Sequence, residues 1–124
     1  MSNHLTTDEY RREINRSMTE KQWQQRVEMA LRQAGALVYH AYDSRKSAPG
    51  YPDVTAVMPD GRLLFAELKT ESVKLSEHQH RWLAALTKTS RAAGVPVAVS
   101  VLRPSDYEYL LDWIEGKRWL GGRL

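Results

Sequence analysis

None of the 124 residues is cysteine. Disulfides, thiolate zinc sites and cysteine nucleophiles are thereby excluded, and any metal must be held by oxygen or imidazole. Nor is there an apolar run near the roughly 20 residues that a helix needs to cross a bilayer. The opening MSNHLTTDEYRREINR lacks the apolar stretch of a secretory leader. We expect no membrane partner and a location inside the cell. Internal repeats and low-complexity segments are missing as well. So is a strong charge of one sign: 18 Lys plus Arg against 15 Asp plus Glu leave +3, too mild a bias to mark a nucleic-acid binder by itself. What is present is ordinary globular usage, 42% hydrophobic and 27% charged, in a length that suits one domain.

Residues 1–18 are polar and without clear apolar period, which predicts an arm with at most a helical turn near Glu9 to Ile14. The domain is expected over 19–115, followed by a basic tail over 116–124. Thr19-Glu20-Lys21-Gln22 reads as a capping box, with Trp23, Val27, Ala30, Leu31 and Ala34 at helical spacing and Gly35 as the stop. Strands are predicted over 37–42, 54–58 and 63–70, the last two joined by the three-residue loop Pro59-Asp60-Gly61 with Gly61 left-handed. A second capping box, Ser76-Glu77-His78-Gln79, opens a helix that ends before Gly94, and residues 97–102 read as a buried strand. Pro104 starts a last helix with Tyr107, Leu110, Leu111 and Ile114 on one face. The order αβββαβα predicts a mixed α/β domain.

Chemistry concentrates in Gly50-Tyr51-Pro52-Asp53 and, thirteen residues later, Glu67-Leu68-Lys69. Side chains alternate along a strand, so Glu67 and Lys69 share a face while Leu68 points away. A three-residue loop pairs Met58 with Arg62, and counting back sets Asp53 opposite Glu67 on that face. Two adjacent carboxylates repel unless a cation lies between them, and oxygen ligands with room for water suit Mg²⁺ or Mn²⁺. The neighbouring ammonium of Lys69 would orient or deprotonate an attacking water, or stabilise charge developing on phosphorus. Pro52, having no N–H, belongs at a strand start, and Gly50 allows close backbone approach by a ligand. Glu20 and Gln79 each sit on the apolar face of their helix, where a polar group needs a partner. Arg45, Lys46, Lys74 and Arg81 surround the pattern and would neutralise phosphates.

These segments, Thr19-Glu20 with Gln24, Gly50-Tyr51-Pro52-Asp53, Glu67-Leu68-Lys69 and Leu75-Ser76 with Gln79, resemble the VRR-NUC branch of the PD-(D/E)xK nucleases over residues 19–102. The resemblance implies a restriction-endonuclease-like αβββαβ core, here with an added C-terminal helix. It also implies that Asp53, Glu67 and the backbone carbonyl of Leu68 bind the metal, that Lys69 is catalytic, and that Glu20 and Gln79 complete the site. Stand-alone relatives of this size imply a homodimer acting on branched DNA, of Holliday-junction or flap type, in the cytoplasm of a bacterial cell or phage-infected host. No organic cofactor is expected.

The rival reading is a DNA-binding or assembly module of the same fold with weak or no catalysis; retention of Asp53, Glu67 and Lys69 together argues against it. Nothing in the residues separates DNA from RNA. His40, His78 and His80 form no zinc spacing and read as surface or DNA-contacting residues. Tyr51 and Trp119 are positioned to pack on a partner. Trp113, off the stripe of the last helix, is the expected anchor of a dimer interface with Trp119 and Leu120.

Overall fold

The computed structural model describes residues 4–41, 48–94 and 96–121. In each of the three longer helices a hydroxyl accepts the N–H three residues on, and that residue's side chain returns to the cap: Thr6 with Glu9 before α1 (Thr7–Ser17), Thr19 with Gln22 before α2 (Glu20–Gln33), and Ser76 with Gln79 before α3 (Glu77–Ala93). Gly94, left-handed at φ +64°, stops α3 as expected. The segment expected as an arm thus contains a full helix, although none of its side chains is buried.

Strands β1 (Leu37–His40), β2 (Val54–Val57), β3 (Leu63–Leu68) and β4 (Val97–Leu102) form one sheet in the order β1-β2-β3-β4. The first three are antiparallel neighbours, and β4 runs parallel to β3 after the α3 crossover. Three of the strands are one or two residues shorter than the pattern suggested. Alternation divides the sheet into two faces. Val54, Ala56, Leu64, Ala66, Leu68, Ala98 and Leu102 pack with Trp23, Val27 and Leu31 of α2 and with Leu110 and Trp113 of α4 (Tyr107–Ile114). On the other face Phe65, Val99 and Val101 meet Leu83 and Leu86 of α3.

Trp113 corrects the reading of the last helix. It is 1% exposed, in the main core beside Leu110, whereas Leu111 and Ile114 are only partly buried. The buried side of α4 is turned toward Leu110 and Trp113, and Trp113 is not available as an interface anchor. Leu120, in the tail, is also fully buried in this core, while Trp119 is exposed. Arg62 stacks its guanidinium over Trp113 and donates to the carbonyls of Trp113 and Ile114, neutralising the negative end of α4.

Candidate active site

The β2–β3 hairpin sets the site. Met58 donates its N–H to Arg62 O at 2.8 Å and Gly61 to Met58 O at 3.0 Å, with Gly61 at φ +91°, so three residues close the loop. The register that follows pairs Val54 with Ala66, and one further step puts Asp53 beside Glu67. An Asp53 carboxylate oxygen accepts the Leu68 N–H at 2.8 Å. In a strand a residue's own N–H and C=O point to the same side, so the Leu68 carbonyl lies on the Asp53 side. Lys69 turns its N–H the other way, to Leu102 O at 3.1 Å.

Glu67 is 2% exposed. One carboxylate oxygen, Oε1, accepts from Gln79 Nε2 at 3.0 Å; the other, Oε2, is buried with no hydrogen-bond partner. Burial, and after it the negative charge of Asp53, push the Glu67 pKa up to about 9, with the Lys69 ammonium pulling the other way. Gln79 serves two purposes with the two ends of one amide: its Oε1 accepts the Ser76 N–H at 2.8 Å in the capping box while its Nε2 holds Glu67. The cap bond and the bond to Glu67 are therefore made by one side chain.

Gly50 does admit a close neighbour, but that neighbour is the chain itself. At φ +84° it lies against the first turn of α3, where an added Cβ would stand 2.3 Å from the His78 carbonyl carbon and 2.6 Å from Gln79 N. Tyr51 likewise packs internally, edge-on to Trp82 with ring centroids 5.1 Å apart. The segment leading to Asp53 is thereby docked on the helix that carries Gln79.

The structure brings together Asp53, Glu67, the Leu68 backbone and Gln79, with Lys69 half-buried on Glu67's side of the chain. It does not bring Glu20 into this group. Glu20 is exposed in the first turn of α2, the helix on the opposite face of the sheet, and makes no hydrogen bond or ion pair among the described residues. Lys74 and Arg81 are exposed beyond Lys69 and in the first turns of α3; Arg45 and Lys46 lie outside the described residues. His40 is not a surface residue: its side chain is largely covered, with Nδ1 3.7 Å from Glu28. Glu28, a residue the sequence did not single out, is 5% exposed, bonded to Gln24 at 2.9 Å and paired with Arg32 at 3.0 Å. The i, i+4 spacing of Gln24, Glu28 and Arg32 was the available signal.

Among the described residues no cluster of three or more His, Asp and Glu could hold a metal. A cation here would take two carboxylates, a main-chain carbonyl and water, a set that fits a hard divalent ion. The Glu67 oxygen that accepts no hydrogen bond, beside a second carboxylate, is an acceptor that such an ion would satisfy.

A family model for the VRR-NUC domain matches residues 4–102. The chain belongs to the VRR-NUC family. Comparison with curated proteins gave no match. A solved structure described as a VRR-NUC domain is similar over 75% of this chain and 94% of that one, at 26% identity and a TM-score of 0.55. This VRR-NUC chain is accordingly a nuclease-type domain with DNA as its class of partner. The VRR-NUC match takes in α1, earlier than the expected start at residue 19, and stops at the last residue of β4. No helix of the described residues is long and apolar enough to cross a membrane.

Proposed function

We propose that this VRR-NUC chain is a divalent-metal-dependent DNA endonuclease, hydrolysing phosphodiester bonds in branched or structured DNA as a homodimer. The observation that carries the chemistry is the buried Glu67 carboxylate, held beside Asp53 with one oxygen lacking a donor. Asp53, Glu67 and the Leu68 carbonyl would hold Mg²⁺ or Mn²⁺. When bound, that ion supplies Lewis-acid polarisation of a phosphate oxygen and acidification of water.

The chain's own residues do the rest. Gln79 fixes the orientation of Glu67 through Oε1 and leaves Oε2 for the ion. The Leu68 N–H fixes Asp53 in the same way. Lys69, on Glu67's side of the strand, offers an ammonium to the attacking water and to the charge that develops on the phosphoryl oxygens. Lys74 and Arg81, with Arg45 and Lys46, would bind flanking phosphates without reading bases. The branched substrate and the two-fold assembly rest on likeness to stand-alone relatives, because paired cuts in a junction call for two sites related by symmetry.

The test is cleavage by purified protein, with and without Mg²⁺ or Mn²⁺, of duplex, single-stranded, flap and four-way-junction DNA. Cutting that requires the ion and favours the branched substrates is expected. Asp53→Ala and Glu67→Ala should abolish it while leaving DNA binding in place. Metal-independent cutting, or full activity in either variant, would overturn the assignment.

A further inference from the structure

Lys69 sits where the sheet gives out. Its N–H makes the last bond across to β4, after which β3 runs on irregularly to the Ser76 cap of α3 and β4 passes into a single 3-10 turn, Pro104–Asp106. An irregular run has no ladder to take up its backbone groups. Here three of its carbonyls go to one side chain. Arg103 Nη1 donates to Thr70 O at 2.6 Å, to Val73 O at 2.7 Å and, at a longer 3.4 Å, to Glu71 O. The contact is reciprocated: the Glu71 carboxylate accepts the Ser105 N–H at 2.6 Å and the Ser105 hydroxyl at 3.1 Å. Asp106 in turn accepts the Arg103 N–H at 2.9 Å, closing the turn from which the guanidinium reaches.

From this geometry we infer that Arg103, locked by Glu71 and Ser105, is a positioning residue that holds Lys69 and the α3 cap in register with the carboxylates. The inference rests on the nuclease reading of the site. Among the described residues Arg103 makes no hydrogen bond or ion pair with Asp53 or Glu67; it acts through residues 70–73, the chain between the ammonium and the Gln79 helix. Charge-assisted bonds to carbonyls are roughly twice as strong as neutral ones, and guanidinium stays charged at every working pH. The clamp thus replaces, with side chains, the strand pairing that ends at Leu68 and Leu102. Misplacing a reacting group by about 1 Å can cost on the order of 10²-fold in rate, which sets the scale of what the clamp protects.

The experiment measures kcat and KM on a DNA substrate that the unaltered protein cleaves, together with hydrogen exchange of the bonded amides of Lys69, Ser76 and Ser105 that flank the clamp, for Arg103→Ala, Arg103→Lys and Glu71→Ala. Arg103→Ala should lower kcat by about 10- to 100-fold with KM unchanged and speed exchange at those amides. Arg103→Lys, which keeps the charge, should recover part of the loss. Wild-type kcat in Arg103→Ala overturns the inference, as does a change in KM alone, which would make Arg103 a phosphate contact. Should Arg103→Ala fail to fold, Glu71→Ala carries the test: it breaks the exposed side of the clamp, and an unchanged kcat overturns the proposal equally. A wild-type chain that cleaves nothing with either metal would instead sink the nuclease reading and this inference with it; an active wild type with fully active variants sinks the inference alone.

Discussion

Glu67 ties chemistry to stability in a way that can be measured without a substrate. Its ordinary value is 4.5 and burial beside Asp53 raises it to about 9, so the folded chain keeps a proton that the unfolded chain releases. The stability this contributes is complete below about pH 4.5 and is lost as pH rises through about 9, since the folded state binds more protons across that window. In metal-free buffer the melting temperature should therefore fall between about pH 5 and 9. Adding Mn²⁺ should restore it, because the ion takes the place of the proton. Glu67→Gln should melt at or above the unaltered chain at the alkaline end while cutting no DNA; a variant with the same downward slope would show that the slope arises elsewhere. Gln79 is a gentler case. Losing the amide frees Glu67 to turn but removes no ligand, and loss of an outer partner of this kind typically costs about 10- to 100-fold in activity or metal affinity. Gln79→Glu would place a third carboxylate against Glu67, so a variant that cuts as fast as Gln79→Ala or faster would contradict the orientation role.

At the scale of elements, α1 and the tail look alike in sequence and differ in what they bury. α1 has no buried side chain, and its ion pair to the domain, Arg11 with Glu108, joins two exposed groups, an arrangement worth little. Removing residues 1–17 should lower the melting temperature by no more than a few degrees. Ending the chain at Glu115 removes fully buried Leu120, and loss of a core leucine costs about 2–5 kcal/mol, so that truncation should destabilise far more. Equal melting points for the two truncations would refute the distinction. The same contrast shows what the sequence made legible. Asp53 opposite Glu67 followed from strand alternation and a three-residue loop, both of which are local rules. The caps at Thr19 and Ser76 were readable for the same reason. Burial of Trp113 and Leu120, the pairing of His40 with Glu28, and the reach of Arg103 across to residues 70–73 depend on which surfaces meet in three dimensions. A helix wheel assigns Trp113 to a flank because it counts apolar neighbours on one helix, whereas Arg62 and the sheet decide which side of α4 is covered.

For the molecule as a whole, the mild net charge of +3 makes the local placement of cations decisive. Removing one phosphate-binding cation should reduce the slope of log affinity against log salt by about 0.9, so Lys74→Ala with Arg81→Ala should flatten it by about 2 if both side chains meet the backbone of duplex DNA. An unchanged slope would route the DNA elsewhere. The proposed two-fold assembly no longer has Trp113 to anchor it, and light scattering at micromolar concentration decides it: a monomer there would make nicking of one strand the expected outcome. Gly50 gives the molecule one more property. The strand entry that carries Asp53 and the helix turn that carries Gln79 are separate pieces of chain, brought within contact across a glycine with no room for a methyl group. The aperture of the site is thus gauged by a residue that has no chemistry of its own. A single added carbon would act as a wedge there, prising Asp53 from its place beside Glu67 while leaving every functional group intact.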